Sequence, residues 1–111
     1  MKRYVLTTDI KDDPDTIQKY RDYHAAVWPE VTESLKNVGF GDARIYILGR
    51  RLMLIMDTDD DFDLAEAGRI HRETHPRIKE WEELMDSFQE RPAGTSGDGK
   101  WAVMEQLWEL T

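Results

Sequence analysis

The sequence predicts an α+β fold in which helices cover one face of an antiparallel sheet. Three observations carry that expectation. Strand-like and helix-like runs follow one another as strand, helix, strand, strand, helix, strand. Two neighbouring strand-like runs meet at a glycine-containing turn, which predicts a hairpin and antiparallel pairing. The inner run, Leu52-Met53-Leu54-Ile55-Met56, lacks polar alternation, which predicts a strand covered on both faces.

Residues 3–10 are β-branched and apolar enough for the first strand. Asp13 and Pro14 then mark a helix start: a capping carboxylate followed by a proline at the first helical position. The helical pattern continues to about Trp28. Pro29 has no amide hydrogen and crowds the preceding turn, so it is expected to kink or restart the helix, with Glu30 in a favourable first turn. The restarted piece should end near Asn37, with Gly39 as its left-handed cap.

Residues 42–48 and 52–58 are the expected hairpin arms around Gly49-Arg50-Arg51. The run from Asp57 to Asp63 partly resembles a calcium loop. It lacks the glycine and closing glutamate at the required offsets and reads as a polar turn feeding a helix. A short helix is expected over 63–71. A longer one restarts at His75-Pro76, with Ile78, Trp81, Leu84, Met85 and Phe88 as its apolar stripe. Residues 91–100 have linker composition. Residues 101–110 are expected to form the last strand, with Met104, Trp108 and Leu110 on one face. This is the ferredoxin-like β-α-β-β-α-β order. Helices of the same chain can cover one sheet face. The other is covered either by the chain folding over itself or by a second copy, and in 111 residues the second is favoured, so a homodimer is expected.

The length fits one domain, 1–111. Hydrophobic residues are 40% and charged residues 34%, the balance of a soluble globular protein. No apolar run approaches the roughly 20 residues of a membrane span, and the N-terminus lacks a signal-peptide pattern. With no cysteine there is no disulfide framework. A cytoplasmic location is expected. A net charge of −8 argues against nucleic-acid and anionic-membrane partners and leaves a neutral or cationic small molecule.

Tyr20, His24 and Trp28 are spaced by four, which places them on one helix face with Ile17, Val27, Val31 and Leu35. An imidazole on such a face is either a satisfied core group or part of a site. The phenol and indole beside it supply the materials of a sugar site: an aromatic wall and a group that exchanges protons near neutral pH. His71 and His75 have metal-pair spacing, but Pro76 interrupts the helix and no Glu or Cys completes an evident set, so no metal is expected. The four tryptophans serve the core, or stack on a sugar or another flat ligand.

The run Tyr20-x-x-x-His24-x-x-x-Trp28-Pro29-Glu30, then Leu35-Lys36-x-x-Gly39, then Ile45-Tyr46, resembles the L-rhamnose mutarotase family. The strand-like Met104-to-Leu110 run fits as well, and the likeness spans essentially the whole chain. The resemblance implies a dimeric α/β barrel-type assembly of ferredoxin-like subunits. It also implies no metal or organic cofactor, and exchange of the α and β anomers of a 6-deoxy-L-sugar. It places His24 at the proton-donor position, Tyr20 at a sugar-contacting tyrosine and Trp81 at the first of two adjacent sugar-contacting tryptophans.

This chain has Glu82 where rhamnose enzymes carry the second tryptophan, and Asp42-Ala43 where they carry Asn-Tyr. Glu82 is therefore a candidate sugar contact of different chemistry, and the Ile45-to-Arg51 run looks closer to relatives assigned to L-fucose. The competing expectations are a small cofactor-free or haem-dependent monooxygenase of the same fold class and a non-catalytic sugar-binding domain.

Overall fold

The computed structural model describes residues 1–97 and 99–110. Strand β1 (Lys2–Ile10) leads into helices α1 (Pro14–Ala25) and α2 (Pro29–Asn37). The hairpin β2 (Arg44–Leu48) and β3 (Arg51–Thr58) follows, then helices α3 (Leu64–Thr74) and α4 (Pro76–Phe88). Two short strands, β4 (Gln89–Glu90) and β5 (Ala102–Val103), complete the sheet. Its order is β2-β3-β1-β4, every pairing is antiparallel, and β5 shares the β4 edge of β1. This is the ferredoxin-like order expected from the sequence.

Side chains alternate across a strand, so the register sorts them into two faces. Tyr4, Leu6, Thr8 and Ile10 share a face with Leu52, Leu54 and Met56, and with Ile45 and Ile47. Every β1, β2 or β3 residue in the two apolar clusters comes from this face, so the helices pack there. Ile10, Leu52, Met56 and Ile78 are fully buried; each such burial is worth about 1.5–3 kcal/mol. On the opposite face Val5, Met53 and Ile55 are half-buried, and Tyr46 and Leu48 are exposed. The chain itself thus covers the 52–56 strand fully on one side only.

Local chemistry explains the element ends. Asp13 caps α1 by accepting from Thr16 Oγ1 at 2.7 Å. The helix stops at Ala25 rather than running to Trp28. Pro29 offers no amide to continue the ladder, and a residue before proline is driven out of the helical region. Trp28 accordingly sits at φ −59°, ψ 134° as the cap of α2. Gly39 has φ +94°, and a Cβ there would meet Phe62 Cδ1 at 3.2 Å, so both conformation and space favour glycine. The 57–63 turn feeds α3 as expected, with Asp63 accepting from the Glu66 amide at 3.1 Å. Helix α3 runs to Thr74, a turn beyond the expected His71, and breaks where His75 becomes extended before Pro76.

The last strand departs most from expectation. Only Ala102 and Val103 pair with β1. Beyond them the Met104 amide reaches Val5 O at 2.7 Å, and Leu107, Trp108 and Leu110 are exposed. The face of Met104, Trp108 and Leu110 finds no apolar surface among the described residues. Part of the edge expected for it is taken by Gln89 and Glu90, which leave α4 directly alongside Ile10 and Asp9. No helix among the described residues is long and apolar enough to cross a membrane.

Candidate active site

Helix α1 presents Tyr20 and His24 on one face, one turn apart. Their rings stack with centroids 4.4 Å apart and planes 20° from parallel. His24 Nδ1 lies 3.0 Å from the Tyr20 carbonyl oxygen. A carbonyl only accepts, so Nδ1 carries the proton and Nε2 keeps its lone pair. Burial lowers the His24 pKa below 6.5, partly opposed by that hydrogen bond, so the ring is neutral near pH 7.

Tyr20 is buried, and Gln89 Nε2 donates to its hydroxyl oxygen at 3.0 Å. Burial pushes the phenol up to about 12 against the opposing pull of Gln89. The two rings open onto a cavity of about 320 Å³, within the size range of small-ligand sites. Tyr20, Arg21, His24 and Ala25 line it from α1, and Ile45, Ile47 and Leu52 line it from the hairpin.

The remaining candidates sit one layer back. Trp81 meets His24 edge-on at 5.6 Å, and Trp28 meets Trp81 at 5.1 Å. The Arg77 guanidinium lies 4.0 Å over the Trp28 ring, and its Nε is 3.6 Å from Glu30. Trp28 thus reaches the group from the start of α2 rather than from the α1 face. Glu82 points elsewhere, with Oε1 3.7 Å from His71 Nε2. Ala43 is exposed in the loop before β2. The structure therefore joins Tyr20, His24, Trp81 and Trp28 in one aromatic group and sets Glu82 apart.

Sequence reasoning missed three features. The cavity's apolar wall was readable in principle, because Ile45 and Ile47 alternate and Leu52 follows across a tight turn. Gln89 and the Ser34–His71 pair carried no local signal. His71 and Ser34 are both buried, with Nδ1 2.8 Å from Oγ. Burial, then Arg72, lowers the His71 pKa, and burial raises that of Glu82. His75 serves separately, its Nδ1 accepting from the Arg77 amide at 3.0 Å.

Comparison with known proteins bears on what this arrangement does. The L-fucose mutarotase of Xanthomonas campestris pv. campestris is 34% identical over 114 residues, covering 100% of this chain and 90% of that protein. The crystal structure of an L-rhamnose mutarotase from Formosa agariphila superposes with a TM-score of 0.69 at 18% identity, with both chains fully covered. Tetracenomycin F2 cyclase from Streptomyces glaucescens, a type-II polyketide cyclase, gives 0.64 at 16% identity, again with full coverage. At such identities the two structures establish the fold alone. The family model described as L-rhamnose mutarotase matches residues 3–110, so this chain belongs to the L-rhamnose mutarotase family.

Proposed function

We propose that this protein interconverts the α and β anomers of a 6-deoxy-L-sugar, L-fucose or L-rhamnose, with His24 as a proton-transfer group. The observation that carries the reading is the state of His24. It is neutral, one nitrogen is tied to Tyr20 O, and the ring borders the cavity. Anomer exchange needs a proton delivered to the ring oxygen and another removed from the anomeric hydroxyl. The chain opens to the aldehyde, rotates about its first carbon–carbon bond and recloses. An imidazole with one free nitrogen can act as base in one direction and acid in the other. Tyr20, Ile45, Ile47 and Leu52 offer walls for the apolar faces of a sugar; Trp81 backs the imidazole, and Trp28 packs on Trp81.

The likeness to an L-fucose mutarotase and the family match support a sugar substrate. NMR saturation transfer between anomers, run across a panel of 6-deoxy sugars, tests it. The expected result is accelerated exchange for L-fucose, L-rhamnose or both. Binding without acceleration would overturn it in favour of a binding module.

A homodimer joined through the free sheet face belongs to the same proposal. Tyr46 and Leu48 lie on that face, and Leu107, Trp108 and Leu110 on the C-terminal arm offer more apolar surface. Exposed apolar surface of this kind supports the dimer reading. Sedimentation is expected to give a dimer at micromolar protein; a stable folded monomer would count against it.

A further inference from the structure

We infer that Gln89 is a positioning residue for anomer exchange: its side-chain amide turns the Tyr20 hydroxyl proton toward the cavity that His24 also borders. This rests on the mutarotase reading of the site. Gln89 is itself buried, and its backbone pairs with fully buried Ile10, so its side chain starts from a fixed point. Its Nε2 donates to Tyr20 Oη at 3.0 Å. A phenol has a single proton. When its oxygen accepts from the amide, its own O–H must point elsewhere. Among the described residues no protein acceptor takes that proton, and Tyr20 lines the cavity.

The cavity then has one donor and one acceptor side by side. Tyr20 O–H supplies a proton, and His24 Nε2 receives one, from two rings stacked 4.4 Å apart. In ring opening, the Tyr20 proton passes to the ring oxygen as the bond from that oxygen to the anomeric carbon breaks. The anomeric hydroxyl loses its proton to His24 Nε2 as the carbonyl forms. The enzyme is left with a phenolate and an imidazolium. After the aldehyde rotates, both protons return as the ring closes on its other face, and no further reactant is needed. Gln89 is placed to donate to the phenolate during that interval, when a hydrogen bond to the oxygen is strongest. Without it the buried phenolate would be harder to form, since burial already holds the phenol near 12.

The test uses Gln89→Glu and Gln89→Met with the saturation-transfer assay. An ionised carboxylate can only accept, so Gln89→Glu draws the Tyr20 proton away from the cavity. Gln89→Met removes the donor while keeping an unbranched side chain. Both are expected to lower kcat roughly ten- to hundredfold, as for a lost hydrogen bond to a charged group, with KM within about threefold. The Gln89→Glu rate, taken as a ratio to wild type, should rise as pH falls, because a protonated carboxyl donates again; the Gln89→Met ratio should stay flat. His24 and Arg21 of α1, and Arg50, which pairs with Glu90, are present in all three proteins, and the flat Gln89→Met ratio is the baseline against which the Gln89→Glu rise is read.

In a Tyr20→Phe background, Gln89→Met should have no further effect on kcat. That cycle alone decides the matter if Gln89→Glu does not fold. Exchange in the wild type with unchanged kcat in the variants would overturn this inference alone. So would equal losses with and without the Tyr20 hydroxyl. Absence of exchange in the wild type would overturn the mutarotase reading and this inference with it.

Discussion

His24 and His71 are both held neutral by burial, yet their surroundings differ in one respect that decides what each can do. His71 is enclosed, with Ser34 Oγ at one nitrogen and Glu82 Oε1 3.7 Å from the other. His24 has Nδ1 tied to Tyr20 O, while Nε2 makes no hydrogen bond among the described residues, and its ring borders a cavity. Both carry shifted pKa values, so the shift alone does not distinguish a site from a structural cluster. The unclaimed nitrogen beside space for a ligand does. His71 ties α3 to α2 and α4; His24 holds a proton-accepting atom ready.

Truncating each imidazole is the strongest way to test that contrast. His24→Ala should slow anomer exchange about a hundredfold or more, the range of a positioned acid or base, in a protein that still folds. His71→Ala should leave exchange within about threefold and cost about 1–3 kcal/mol of stability, because Ser34 loses its buried partner. Exchange rates and denaturant midpoints on both variants read this directly. Near-normal turnover in folded His24→Ala, or a large turnover loss in stable His71→Ala, would invert the assignment.

The same contrast shows how far the sequence could be read. Tyr20 and His24 were legible because helical spacing is local, and the fold order was legible because each element carries its own periodicity. Trp28 was misplaced because a residue before proline obeys backbone sterics more than hydrophobic pattern. Its ring still reaches Trp81, by a different route. Ser34–His71 and Tyr20–Gln89 join residues 37 and 69 positions apart, and nothing local encodes such a meeting. The C-terminal run has a real strand pattern, but its burial depends on surface absent from the rest of the described chain.

Acid provides a finer test, because the two histidines should respond through different observables. Both pKa values are lowered on folding, so below the ordinary 6.5 the unfolded chain binds more protons than the folded one. Their contribution to stability is therefore present above 6.5 and lost as pH falls through the folded values. Catalysis needs neutral Nε2 on His24, so the acid limb of the exchange rate should lie below pH 6.5. His71→Ala should flatten the pH dependence of stability in that window and leave the limb in place. Measure exchange and unfolding on one pH series. A limb at or above 6.5, or one that moves with His71, would tie the two sites together.

The smallest expected effect concerns sugar choice and asks on which side of the comparison Glu82 belongs. Its carboxylate lies beside His71 rather than on the cavity wall, yet its neighbour Trp81 touches His24. Tryptophan at position 82 would supply a flat apolar surface and withdraw the acceptor facing His71. L-rhamnose and L-fucose differ in the faces their hydroxyls occupy but share the ring-opening step, so their rate ratio reports pocket contacts rather than mechanism. The wild type should process L-fucose at least as well as L-rhamnose, and Glu82→Trp should shift the ratio toward L-rhamnose by no more than about tenfold. Glu82→Gln is the control. The amide copies the shape of the carboxyl and keeps an oxygen acceptor without supplying a flat wall, so the ratio should hold. A shift in Glu82→Trp alone would mean that the wall at position 82 sets preference from one layer behind His24. A strong wild-type preference for L-rhamnose, or a ratio unmoved by tryptophan, would leave Glu82 in the closed cluster with His71 and Ser34, serving the packing of α3 against α4.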